Sequence, residues 1–280
     1  MKGMTLVELM IAVAIGAGLI AAAVALYVRG RAAYQANASV ARLQEQARFA
    51  FAVIEPDVEM AGHFGFTSDA STLALAVDEV PVALKACGAD FVTPVNASNG
   101  AWPLACAAYQ SGPVPAADTL TVRRVDTRDA PAEANRLQVY ASRFTALTSQ
   151  PVFFDGIAPG VTDENHRVHN LLVRTYYIAR DSVGRRGFPA LRVKSLTRGG
   201  YDEDEVMSGV EDLQVQLLGS SPVAAVRVWL RVRSDEPDAS FVDDRTYRYA
   251  DVEFTPSGAE KRHRRAVIAR TIAVRNARRE

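Results

Sequence analysis

Glu8 is the only acidic or basic side chain in residues 4–28, MTLVELMIAVAIGAGLIAAAVALYV, a run of 25 positions. A carboxylate within an apolar helix costs a few kcal/mol in hydrocarbon, and it either takes a partner there or snorkels to the headgroups from near the membrane surface. The two cysteines, Cys87 and Cys106, form one disulfide in an oxidising compartment and stay free thiols in a reducing one. His166 and His169 offer two nitrogens, with only Asp163 and Glu164 near in sequence. Zinc takes three or four convergent ligands, so a solvated loop is expected there and no metal site. Asp202-Glu203-Asp204-Glu205 lacks EF-hand spacing and reads as a solvated acidic loop. Lys261, Arg262, Arg264 and Arg265 read as an edge guard or subunit contact ahead of a nucleic-acid surface. No Gly-rich phosphate loop, nucleophile elbow or HExxH motif occurs. Catalysis therefore has no residues to rest on, and neither an activity nor a cofactor is expected.

The elements that carry these residues begin with the apolar run itself. Twenty-five residues at about 1.5 Å each cross a bilayer core. Arg29 and Arg31 follow in place of a small-residue cleavage site, so the segment reads as a retained anchor. Lys2 lies on the other flank, and charge alone does not orient the span. Beyond it, Val40, Leu43, Ala47, Phe51, Ile54 and Val58 recur at spacings of three and four, an amphipathic continuation. One helix is expected over about 5–54, with Pro56 ending or kinking it and Gly30 a second candidate bend.

The remainder reads as strands and loops. Short β-rich runs occupy 119–125, 171–178, 191–195 and 213–218. Val226, Val228, Leu230 and Val232 alternate with Arg227, Trp229, Arg231 and Arg233, a half-buried strand. Asp181-Ser182-Val183-Gly184 predicts a hairpin turn, and Ile268, Ile272 and Val274 a last strand. Residues 86–115 read as one long loop that Cys87 and Cys106 can staple. Lys plus Arg equals Asp plus Glu at 32 each, so net charge does not favour a nucleic-acid partner. The expected class is α+β: a long helix whose outer half packs on an antiparallel sheet. Its segments are 1–3, a leader; 4–28, the membrane helix; 29–58, the amphipathic helix; and 59–280, a β-rich head.

Gly3-Met4-Thr5-Leu6-Val7-Glu8-Leu9-Met10 resembles the class III signal of type IV prepilins. The resemblance implies cleavage between Gly3 and Met4 by a prepilin peptidase and methylation of the new amine on Met4. It further implies that Glu8 pairs with that amine across a subunit boundary. Met4 replaces the commoner Phe, and the leader is three residues long. Stretches 41–50, 60–65 (Met60-Ala61-Gly62-His63-Phe64-Gly65), 189–192, 209–215 and 264–276 resemble PilW-type minor pilins. Phe66 stands where many such proteins carry a cysteine. The implied fold is the pilin fold, and the implied role is a minor pilin in a tip complex that primes pilus assembly for twitching motility, adhesion or DNA uptake. Its partners would be other minor pilins, the major pilin and the peptidase. It would sit in the inner membrane with the head periplasmic, then in the filament. A pseudopilin of type II secretion is the second class, and a signal-anchored periplasmic binding protein or enzyme the third.

Overall fold

Apolar periodicity through the first sixty residues becomes one helix, α1 (Leu6–Glu59), of 54 residues, about 80 Å by the helical rise. The structure is a computed structural model and describes residues 5–74, 79–87, 90–91, 93–144, 150–219 and 222–277. Helix α1 contains an 18-residue stretch of mean hydropathy 2.6, none of it buried against the rest of the chain. By length and composition it can cross a membrane. Its second half turns apolar residues onto the head: Leu43, Ala47, Ala50, Phe51, Ile54 and Val58 are all buried. Val40 is largely exposed, so docking begins at Leu43, one turn later than the apolar stripe suggests.

Pro56 does not end the helix, which continues to Glu59. Proline forfeits one N–H bond and crowds the preceding turn. Burial of Asp57 and Val58 on the head holds the last turn in place, and Met60 N–H closes it on the Pro56 carbonyl at 3.2 Å. The helix also runs unbroken through Gly30.

The head holds two main sheets. The larger contains β1 (Leu73–Ala74), β2 (Val95–Ser98), β3 (Thr119–Val125), β4 (Ala134–Ser142), β5 (Gln150–Asp155), β6 (His166–Ala179), β7 (Ala190–Thr197) and β8 (Gly200–Ser208). Its order is β1-β5-β4-β6-β3-β2, with β7 bonded to β6 and β8 to β7. Strand β1 runs parallel to β5, so this sheet is mixed and departs from the expected antiparallel pattern. The smaller sheet, in the order β13-β10-β9, joins β9 (Val210–Leu218), β10 (Ala225–Arg233) and β13 (Arg265–Ala273). It is antiparallel throughout. Strands β11 (Tyr247–Tyr249) and β12 (Val252–Phe254) form a separate ribbon. A long apolar helix with a large mixed sheet domain is an α+β architecture.

One core lies between α1 and both sheets: Phe51, Ile54 and Val58 pack with Leu120, Tyr176, Leu213, Val228, Leu230 and Ile272. Each fully buried large apolar side chain contributes roughly 2–3 kcal/mol. A second core under Phe64 gathers Leu137, Val139, Leu171 and Val173. The bend joining helix to sheet uses Gly62 and Gly65 at φ of +74° and +84°. A β-carbon on Gly65 would lie 2.6 Å from the Ala141 Cβ, so the close approach to β4 requires glycine as well as the backbone conformation.

Several expectations change. Residues 86–115 are not one structureless loop, because β2 pairs with β3 there. The acidic run 202–205 is part of β8, not a loop. His166 and His169 belong to β6, which begins five residues before the apolar run that signals it. The turn after Asp181 is present, with Ser182 and Arg185 exchanging backbone bonds of 3.1 and 3.2 Å.

Candidate assembly interface

The exposed half of α1 is the most unusual surface of the chain. Leu6, Met10, Val13, Leu19, Ile20, Leu26 and Tyr27 are each more than half exposed. Apolar area on that scale requires lipid or other helices to cover it. At its start, Thr5 and Glu8 form a reciprocal capping box. Thr5 N–H donates to Glu8 Oε2 at 2.8 Å, Thr5 Oγ1 donates to the same oxygen at 3.0 Å, and Glu8 N–H donates to Thr5 Oγ1 at 3.3 Å. The S/T-x-x-E spacing is visible in the sequence and marks a helix start, a second role for Glu8 that the sequence reading passed over. The carboxylate also lies at the positive end of the helix dipole. Gly3 and Met4 lie outside the described residues.

The far end of α1 is locked to the head by charge. Asp57, 2% exposed, accepts from Arg124 Nη2 at 2.8 Å, Arg174 Nη1 at 2.9 Å and Tyr176 Oη at 2.6 Å. Burial, then the Asp57 carboxylate, pushes the Tyr176 phenol well above its ordinary range. Arg174 is held more basic than usual, since Asp57 outweighs the burial that would lower it. Two arginines from β3 and β6 therefore meet one helical carboxylate and set the helix on the sheet. At the edge of β13, Arg270 pairs with Glu55 and Arg275 Nη2 with Glu59 at 2.6 Å.

Cys87 and Cys106 are joined by a disulfide, with a sequence separation of 19 and Cα atoms 4.8 Å apart. The chain just beyond Cys106 is tied to the sheet by side chains. Lys194 Nζ donates to the Ala107 carbonyl at 2.8 Å, Tyr109 N–H donates to Tyr177 Oη at 3.0 Å, and the Arg192 guanidinium lies 3.6 Å from the Tyr109 ring centre.

The remaining candidates are absorbed by packing. His166 Nδ1 lies 2.9 Å from Asp163 Oδ1, while His169 Nδ1 lies 3.2 Å from the Arg128 carbonyl. Three residues apart on one strand, the two rings face opposite sides. No group of three or more potential ligands occurs among the described residues. In β8, Glu203 and Glu205 face Lys194 and Arg192 at 3.0 and 3.3 Å, leaving Asp202 and Asp204 exposed. The basic cluster is paired internally. Arg264 meets Asp238 at 3.0 Å, Lys261 meets Asp244, and Arg265, wholly buried, meets Glu211 at 2.8 Å.

Arg231 and Arg233 also depart from the alternation that reads them as outward. Both are buried: Arg231 lies beneath the β11–β12 ribbon, its Nε 3.0 Å from Glu211 and its guanidinium 3.7 Å from the Phe254 ring centre, while Arg233 meets Glu211 and Glu260 with the Phe188 ring centre 4.5 Å away. Burial raises the Glu211 carboxyl, but Arg265, Arg231 and Arg233 outweigh it and hold the group below its ordinary value. Nothing local in the sequence pairs Glu211 with residues 20 to 54 positions away.

A family model described as "Type IV Pilus-assembly protein W" matches residues 219–276, which contain β10, the β11–β12 ribbon and β13 with their buried arginines. No curated protein and no solved structure gives a significant match. The family match supports a type IV pilus-related protein.

Proposed function

We propose that this chain is a minor pilin: a subunit held in the inner membrane by α1, cut after Gly3, and recruited into the complex that initiates a type IV pilus. The carrying observation is the continuity of α1. Its first half is apolar, uncovered and begun by Glu8, while its second half is the spine of the head's core. A transmembrane anchor alone has no need to continue into the fold it tethers. A filament subunit does, because one rigid helix carries the register of the packed bundle to the head. In this reading, the ammonium created on Met4 is partnered by Glu8 of a neighbouring subunit. The carboxylate would exchange part of its local bonding to Thr5 for that contact. The family match over β10, the ribbon and β13 supports a pilus-related role for the head. The test is recovery of the chain in sheared filaments from the native host. Its presence there, and loss of piliation on deletion, are expected. A chain confined to the membrane fraction, with piliation unchanged on deletion, would overturn the reading.

A further inference from the structure

Strand β13 is an edge of the smaller sheet, and its bonding parity decides what that edge offers. Val274 N–H donates to the Ala224 carbonyl and Ser234 N–H to the Arg264 carbonyl, so even-numbered residues of β13 bond β10. Odd-numbered residues therefore aim their N–H and C=O groups away from the sheet. Arg275 confirms the parity: its N–H donates outward, to the Glu59 carbonyl at 2.9 Å, and closes one end of the edge. Arg245 Nη2 reaches the Arg265 carbonyl at 3.4 Å and closes the other. Between them Val267, Ala269, Thr271 and Ala273 form an open window on the side away from β10, where, among the described residues, no second strand pairs with β13. Ala269, Thr271 and Ala273 are exposed.

Natural edges are normally blunted by charge, proline, bulges or shortness. On the opposite edge of the same sheet, β9 shifts register against β10 and is capped by Asp118, whose N–H donates to the Leu213 carbonyl and whose carboxylate accepts from Val215 N–H, both at 2.8 Å. The edges of the larger sheet follow the rule too. Strand β2 has four residues and β1 two, and β8 carries four carboxylates and a register shift against β7. Strand β13 has nine residues in unbroken register with β10, no proline, and only small or neutral side chains at 267, 269, 271 and 273. Arg227 Nε reaches across to Thr271 Oγ1 at 3.0 Å and has no acidic partner among the described residues.

We propose that the 267–273 edge of β13 receives an extended segment, about seven residues long and carrying an acidic side chain opposite Arg227, from another subunit of the pilus-assembly complex. The proposal rests on the pilus reading above and deepens it. Unpaired backbone groups recognise backbone, which makes the occupant an added strand. A second copy in antiparallel pairing is disfavoured by the anchor. Strand β13 runs in the same sense as α1, since Arg270 meets Glu55 and Arg275 meets Glu59, so an antiparallel copy would point its apolar helix out of the shared membrane.

The test uses the full chain in its native host, with a photo-crosslinking residue at 269, 271 or 273 and, as control, at Glu253 on the ribbon. Adducts from the three edge positions are expected on one segment of one pilus-assembly subunit, shifting by two residues per step. Ala269→Pro removes only an outward N–H and is tolerated on an edge. It should leave membrane abundance and protease resistance unchanged while lowering the adduct from 273, and recovery in sheared filaments, about tenfold. Thr271→Lys should act in the same direction. Equal adducts at 253, adducts to a second copy, or full incorporation of both variants overturns the edge assignment while leaving the pilus reading intact. Absence of the unmodified chain from sheared filaments overturns both.

Discussion

Replacing Asp57 by Ala tests whether charge sets α1 on the head. The carboxylate is 2% exposed and accepts from Arg124, Arg174 and Tyr176. Removing one partner of a buried ion pair commonly costs 3–5 kcal/mol, because the other charge stays behind unpaired. Here the arginines are 14% and 36% exposed, so water recovers part of their solvation and the expected cost is about 3 kcal/mol. For a head of this size each kcal/mol moves Tm by about 2–4 °C, giving a fall of roughly 6–12 °C. Thermal melts of the detergent-solubilised full chain measure it. A cycle with Tyr176→Phe adds a sharper reading: the phenol has no such acceptor once Asp57 is gone, so the double variant should lose less than the sum of the singles. An unchanged Tm for Asp57→Ala, or strict additivity, would refute the view that this cluster fixes the helix.

The remaining perturbations address other parts of the chain. Cys87→Ser with Cys106→Ser should cost about 3 kcal/mol through loop entropy, and alkylation of both thiols in unreduced, unfolded protein would show the bond absent. Glu211 has a folded pKa below its ordinary value of 4.5. Its contribution is therefore full above pH about 4.5 and lost as pH falls through the depressed value, so acid melts of Glu211→Gln should be flatter there than wild type. Glu8→Ala removes an exposed helix-cap contact with Thr5. It should leave cleavage and membrane abundance normal while abolishing recovery in sheared filaments, and wild-type recovery would refute the intersubunit role of Glu8.

Periodicity carried the sequence reading where one face of an element is buried. Leu43, Ala47, Phe51 and Ile54 on α1, and Val226, Val228, Leu230 and Val232 on β10, lie buried as their spacing predicts. The reading failed where long-range polar contacts decide. Pro56 is a helix breaker by local rule, yet Asp57 and Val58 are anchored beyond it. Arg231 and Arg233 look solvent-facing by alternation, yet both pair with buried Glu211, under Phe254 and Phe188 respectively. The run 202–205 looks like a loop because four carboxylates disfavour a strand locally, and Arg192 and Lys194 on β7 supply the charges that admit it. At the helix start, the Thr5–Glu8 spacing marks a capping box that the sequence reading passed over.

The central claim, that α1 is a processed filament-forming helix, is tested most directly by the mass of the chain's N-terminal peptide in sheared filaments. The account predicts a peptide beginning at Met4 and bearing one added methyl group on its amine. A chain retaining Met1, or found only in the membrane fraction, would contradict it.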